Sequence, residues 1–264
     1  AFALAMLPVA SYFLVRLVKN PNNKNIGLAS IGLALFISTH NYMWFLSLPF
    51  VYIFLFFLIS KKQVVQSIKS LIIASVLGIG AVAYWVFPAI LELKHVPRLT
   101  PFLLDDHFPF MKQLIIPSWG YGASHWGPYD DLSFQIGVVN LIVISLLGLL
   151  FIFRFVKKPA RQNAPALGRV IIWVLVSFAI SVVFMNIRTI SLWKLLPIYN
   201  FVQFPWRLLY LTTFFTSIAG ALVIELLPKF NKKSAILLIF LCLFLTKDYF
   251  KPSGRMYFDD NHYF

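Results

Sequence analysis

Apolar runs, interrupted by short basic or aromatic-polar stretches, set the rhythm of this chain. Read as helices, the runs fall at roughly 1–18, 26–39, 42–60, 71–89, 133–153, 169–186, 208–227 and 234–246. A helix that crosses lipid needs about 20 apolar residues, fewer where the bilayer thins. The last run is the shortest of the eight. No charged residue sits at the middle of any span.

The second and third spans require an argument. Ile26 to Ile59 is one apolar run of 34 residues. As a single helix it would be about 51 Å long, against a hydrocarbon layer of about 30 Å. Its only polar cluster is Ser38-Thr39-His40-Asn41. Both flanks are basic, with Lys19 and Lys24 before and Lys61 and Lys62 after. Two basic flanks belong on one side, so the run is expected to be a tight helical hairpin turning at His40-Asn41.

Composition agrees with the pattern. The chain is 60% hydrophobic and only 12% charged, about half the charged share of a soluble domain. The first residue already lies in an apolar run, with no charged stretch and cleavage site ahead of it. The sequence therefore reads as part of a longer protein, without a signal peptide. Residues 1–250 read as one transmembrane domain, and 251–264 as the start of a tail on the outer side. The fold expected is all-α: a polytopic helical bundle of about eight transmembrane helices, an outer loop and a short interfacial helix. The lone Cys242 excludes an intramolecular disulfide and a zinc site, and lies in an apolar run as a packing or lipid-facing residue.

A net charge of +14 could suggest nucleic acid, but its distribution points elsewhere. The stretches 16–25, 61–70, 154–169 and 228–233 hold 14 basic residues against one acid, Glu225, in the neighbouring span. The other side holds 9 basic residues and 8 acids, so the two sides carry +13 and +1. The positive side is cytoplasmic by the positive-inside rule, and its charge meets anionic membrane lipid rather than nucleic acid.

All five histidines, eight of nine acids and six of seven tryptophans fall on the opposite, outer side. Two segments there are long enough to build a site. Residues 90–132 form an aromatic and polar loop. Residues 187–207 contain SLWKLLP, expected to be a short interfacial helix with Ser191 as N-cap and Pro197 as its end.

Several constellations carry chemistry, each with a plainer alternative. In Phe204-Pro205-Trp206-Arg207 the proline suits a helix start. Arg207 either snorkels to water or holds a phosphate in its planar fork, with Arg98, Lys94 and Lys194 on the same face. His40 and Asn41 form either a turn or a polar pair facing an outer cavity. Asp105, Asp106 and His107, and further on Asp130 and Asp131, could bind a divalent cation such as Mg or Mn, or act as a base. Asp130 and Asp131 also fit as caps of the following helix, and Asp105 and Asp106 as acids that cap a helix or keep a loop in water. Glu92 is interfacial or lines a cavity. WGYGASHWGPYDD at 119–131 interleaves glycine with Trp119, Tyr121, His125 and Trp126, which suits ring contacts with a sugar or an aromatic interfacial loop.

Taken together, THN at 39–41, FPAILE at 87–92, DDLSFQIG at 130–137 and SLWKLLPIYNFVQFPWR at 191–207 resemble the GT-C superfamily of polytopic membrane glycosyltransferases. More narrowly, the chain resembles bacterial membrane proteins described as 6-pyruvoyl-tetrahydropterin synthase-related. The resemblance implies transfer of a sugar from a polyprenyl-phosphate carrier on the outer face of the bacterial plasma membrane. It implies phosphate binding by Arg207, Arg98 and Lys94. The substrate lining would be Asn41, Glu92, Trp119, Tyr121, Trp126, Gln203 and Trp206. Such enzymes place a catalytic carboxylate in their first outer loop, which is expected upstream of this sequence. Within it, Asp130, Asp131, His40 and His125 are the weaker candidates. A transporter would carry mid-membrane ionisable groups and repeated broken helices, and neither is visible. A non-catalytic membrane scaffold is the other alternative.

Overall fold

The computed structural model describes residues 2–40, 42–95, 104–120, 122–156, 164–196, 199, 202, 204–227, 232–250, 252 and 254. Among them the regular structure is helical, and no β-strand is present. The helices are α1 Phe2–Lys19, α2 Asn23–Ser38, α3 Met43–Leu58, α4 Val64–Ala81, α5 Ala83–Leu91, α6 Met111–Ile115, α7 Val138–Phe151, α8 Ala164–Phe184, α9 Ile190–Leu195, α10 Leu209–Leu226 and α11 Lys232–Thr246. Among the described residues four helical stretches are long and apolar enough to cross a membrane: Phe2–Lys19, Lys61–Ala81, Leu167–Phe184 and Pro205–Leu226. Met43–Leu58 and Val138–Arg154 are apolar but shorter.

Small residues set the packing of the first half. Gly32 of α2 lies against Ala10 and Phe13 of α1, where an added Cβ would come within 2.9 Å of the Phe13 ring. Gly78 of α4 lies against Ser30 and Leu33 of α2, and a Cβ there would come within 2.9 Å of the Leu33 Cβ. Without side-chain bulk the backbones approach closely, as helices in lipid commonly do. Ser67 of α4, fully buried, donates to the Val18 carbonyl at 3.2 Å.

In the second half α10 packs between α7 and α8. Thr216 donates to the Asn140 side-chain oxygen at 3.1 Å, and Arg154 donates to the Leu226 carbonyl at 2.7 Å. These contacts, early and late along both helices, make α7 and α10 parallel. The halves join through α3 and α8. Trp173 stacks on Phe54 at 4.2 Å and donates to the Phe50 carbonyl at 3.1 Å. One hydrophobic core runs through both halves.

The bundle thus has two ends. One gathers Lys19, Lys61, Lys62, Arg154 and Lys233 at helix termini. The other gathers the 39–42 turn, the 104–137 segment, α9 and the start of α10.

The 26–59 run does break, between Ser38 and Met43. The two helices do not lie side by side: α3 leaves α2 after the turn and packs on α1 and α8. The expected 71–89 span differs more. Its helix begins at Val64, and the chain breaks at Val82 before α5. Ser67 and Ser70, loop-like in sequence, are buried small residues of a helix face. The break falls between Gly80 and Pro88, residue types that support a helix poorly.

Candidate functional site

The start of α10 is locked to the start of α3. Tyr210, one turn into α10's apolar run, donates its hydroxyl to the Met43 carbonyl at 2.8 Å. This bond brings the 39–42 turn beside the 3-10 turn Pro205–Leu208, which Pro205 opens and which leads into α10. Arg207 projects from that turn. Its guanidinium carbon sits 4.8 Å from the Tyr42 ring centre and 5.1 Å from that of Phe204. Two aromatic faces therefore cover a cation that is itself half-buried.

Around Arg207 lie three buried polar atoms that make no hydrogen bond among the described residues. They are His40 Nδ1, the Tyr42 hydroxyl and Trp206 Nε1. His40 meets Tyr42 edge-on at 4.8 Å. Trp206 stacks on Phe204 at 5.0 Å and leans on buried Phe134 at 5.5 Å. Burial, and then the positive charge of Arg207, hold the His40 imidazole below its ordinary pKa. At neutral pH it is an uncharged donor–acceptor beside a fixed cation.

A second constellation adjoins the first through Phe204. Buried His107 meets Phe204 edge-on at 4.9 Å and shares a 3.0 Å hydrogen bond with Ser124 through Nδ1. Burial is the main reason its pKa lies below the ordinary value, although Asp106 and Asp130 pull it upward. Asp130 accepts from Gln113 Nε2 at 2.6 Å and from the His125 backbone N–H at 2.7 Å. Asp131 faces His125 Nε2 at 3.3 Å, with both side chains exposed. Gly120 and Gly122 pass so close to Asp131 that a Cβ on either would collide with it. The glycines of this aromatic stretch are thus required by a loop folded tightly over one aspartate.

Asp105 joins this layer to α9. It accepts from the Tyr199 hydroxyl at 3.0 Å and pairs with Lys194 at 3.6 Å. Both carboxylate oxygens are therefore already engaged within the chain. No three His, Cys, Asp or Glu residues converge on a metal-sized point among the described residues.

The expectations can now be placed. His40, Trp206 and Arg207 come together, and His125, Asp130 and Asp131 form the neighbouring layer. Glu92 sits exposed at the end of α5, and Trp126 is exposed on the loop. Trp119 stacks on Tyr249 at 4.6 Å, beyond α11. Asn41, Arg98, Tyr121 and Gln203, the side chain of Lys94, Pro197 and most of the 251–264 tail lie outside the described residues.

Two expectations are corrected. Asp130 and Asp131 do not cap α7, which starts at Val138 behind Gly137, a residue with φ 95°. Residues 133–137 form no regular element instead, and Ile136 N–H donates to the Leu114 carbonyl at 2.9 Å. Nor is Ser191 a cap. The helical turn begins at Ile187, where the Asn186 side chain accepts from Arg188 N–H at 3.0 Å. Trp193 of α9 is buried and donates to the Phe184 carbonyl at 2.9 Å, so α9 packs on protein through that residue.

Sequence reasoning missed Tyr42, Gln113 and Tyr199 as parts of these constellations, and gave no role to Phe204 and Ser124 within the stretches that it singled out. The available signal for Tyr42 was its place immediately after His40-Asn41. Nothing local marks Gln113 or Tyr199. Comparison with family models, curated proteins and solved structures returns no match.

Proposed function

We propose that this chain belongs to a membrane glycosyltransferase that takes a sugar from a polyprenyl-phosphate carrier. On this reading all eight apolar stretches cross the bacterial plasma membrane. The basic end faces the cytoplasm, and the Arg207 end faces outward.

One observation carries the reading. A half-buried arginine under two aromatic rings has neighbours that carry three buried polar atoms without hydrogen bonds among the described residues. Leaving such atoms unsatisfied costs about 1–3 kcal/mol each, a cost that a bound phosphate would offset where the Tyr42 and Trp206 donors open toward it. Arginine's paired donors match phosphate oxygens. Arg98 and Lys94 belong to the same reading as further cations.

The chemistry follows from that arrangement. An acceptor hydroxyl attacks C1 of the sugar, the C1–O bond to phosphate breaks, and its electron pair stays on the phosphate oxygen. Arg207 stabilises that departing charge. A carboxylate or imidazole takes the hydroxyl proton. Asp131 and His125 supply such groups in the adjoining layer, alongside any base outside this sequence. A Mg or Mn ion would supply further positive charge for the departing phosphate, though the described carboxylates do not gather to hold one.

The test uses the full-length protein in liposomes with polyprenyl-phosphate-linked hexoses carrying radiolabel in the sugar, and an envelope extract as acceptor. Label should leave the carrier lipid with the wild type and remain there with Arg207→Ala at equal protein level. A scaffold would move no label from any hexose donor.

A further inference from the structure

We propose that residues 110–120 and 122–129 form a lip lying in the headgroup layer of the bilayer at the Arg207 end, its partner being the lipid surface. The proposal rests on the chain lying in a membrane, not on the transferase reading.

The lip turns its apolar side chains outward. Met111, Ile115, Ile116, Trp119, Trp126 and Tyr129 are all exposed, Trp126 at 81% and Tyr129 at 90%. Lys112 is the only Lys, Arg, Asp or Glu in the stretch. Scattered exposed apolar residues are ordinary, but a concentration of this kind marks a surface that something covers. The fold of the lip keeps these groups outside. Asp130 ties Gln113 to His125, and the chain at Gly120 and Gly122 presses on Asp131.

The contacts of α11 set the depth. This helix exposes Leu237, Ile239, Phe240, Leu243 and Phe244, and its main packing partner among the long helices is α7. Apolar groups exposed over so much of a helix belong in hydrocarbon. The helix ends at Thr246, and Lys247 folds back over the Phe244 ring at 4.6 Å, as a lysine does near an apolar boundary. Tyr249, just beyond, is the ring on which Trp119 stacks. The Tyr249 hydroxyl also donates to Gln135 Oε1 at 3.1 Å, and Gln135 Nε2 donates to the Ser118 carbonyl at 2.7 Å. These contacts pin the lip where α11 leaves the apolar layer. Tryptophan and tyrosine prefer that depth because they carry an apolar body and a polar tip. His125 and Asp131, in the same loop, then stand at headgroup level, within reach of molecules diffusing in the leaflet.

The test starts from Cys242→Ser, which removes the only cysteine. Trp126→Cys and Tyr129→Cys are made separately, labelled with bimane, and reconstituted in phosphatidylcholine bilayers. Both side chains are highly exposed, so neither exchange disturbs the core. Ile239→Cys serves as a hydrocarbon reference on α11. The expected result is strong loss of fluorescence at 126 and 129 with headgroup-spin-labelled lipid, and weaker loss with mid-chain-labelled lipid or aqueous iodide. Position 239 should show the reverse preference for mid-chain label. Quenching of 126 and 129 by iodide alone overturns the lip, as does quenching strongest from mid-chain. If 239 is quenched only by iodide, α11 lies outside lipid and the proposal loses its anchor.

Discussion

Arg207 was recognisable in the sequence because an arginine following Phe-Pro-Trp at the head of an apolar run demands a reason. What surrounds it was not recognisable. Tyr42 lies 165 positions earlier in the chain, and only the fold brings its ring to the guanidinium. Tyr42 offers a direct discrimination between stability and binding. Tyr42→Phe deletes a buried hydroxyl that makes no hydrogen bond among the described residues. The detergent-solubilised protein should therefore be as stable as wild type, or more stable by about 1 kcal/mol. On the proposed reading, retention of polyprenyl phosphate should nonetheless fall. Thermal unfolding and lipid analysis of the same samples check both halves.

His107 supplies a pH-dependent counterpart. Burial holds its folded pKa below the unfolded value, despite Asp106 and Asp130. The unfolded chain thus binds the proton first as pH falls. Its contribution to stability is intact above about pH 6.5 and is lost as pH drops through that value toward the folded pKa. His107→Gln should flatten the decline in unfolding temperature measured across this window. An unchanged slope would assign the acid sensitivity to other groups.

At the scale of elements, the hydrophobic pattern located the helices but not their ends. It placed the break in the 26–59 run because a single helix would have been too long. It missed the start of α4 because Ser67, Lys69 and Ser70 resemble a loop, whereas the serines pack against other helices and Lys69 remains exposed. It started α7 too early because aspartates before an apolar run resemble caps. Here Asp130 is instead held by Gln113 and His125, contacts invisible to local reasoning. The small-residue interfaces give a paired prediction. Gly78→Leu should destabilise by about 1–3 kcal/mol, because its Cβ meets Leu33 and the Ser30 carbonyl. Gly80→Ala, where the added Cβ meets nothing within 4 Å, should be neutral or stabilising by about 0.5–1 kcal/mol. Thermal unfolding of the two variants side by side measures the contrast.

For the whole molecule, charge and chemistry separate between the two ends of the bundle. The basic stretches collect at one end, and the Arg207 and His107 layers at the other. On the proposed reading the basic end is cytoplasmic, as the positive-inside rule has it. In a Cys242→Ser background, a cysteine introduced at exposed Asn22 should resist a membrane-impermeant maleimide in intact cells, while one at exposed Glu92 should react. The opposite pattern would invert the orientation and remove the outward site. How the loop at 104–137 and the strap around α9 converge on Phe204 was not legible in the sequence. That arrangement depends on long-range bonds such as Tyr199 to Asp105.

The central claim is that the Arg207 end holds the phosphate of a lipid carrier. Native mass spectrometry of the purified protein, wild type beside Arg207→Ala, tests it most directly. The account predicts a co-purified polyprenyl phosphate, or its sugar-loaded form, on the wild type and its loss from the variant. Wild-type protein carrying only bulk phospholipid, or equal carrier lipid on both proteins, would contradict it.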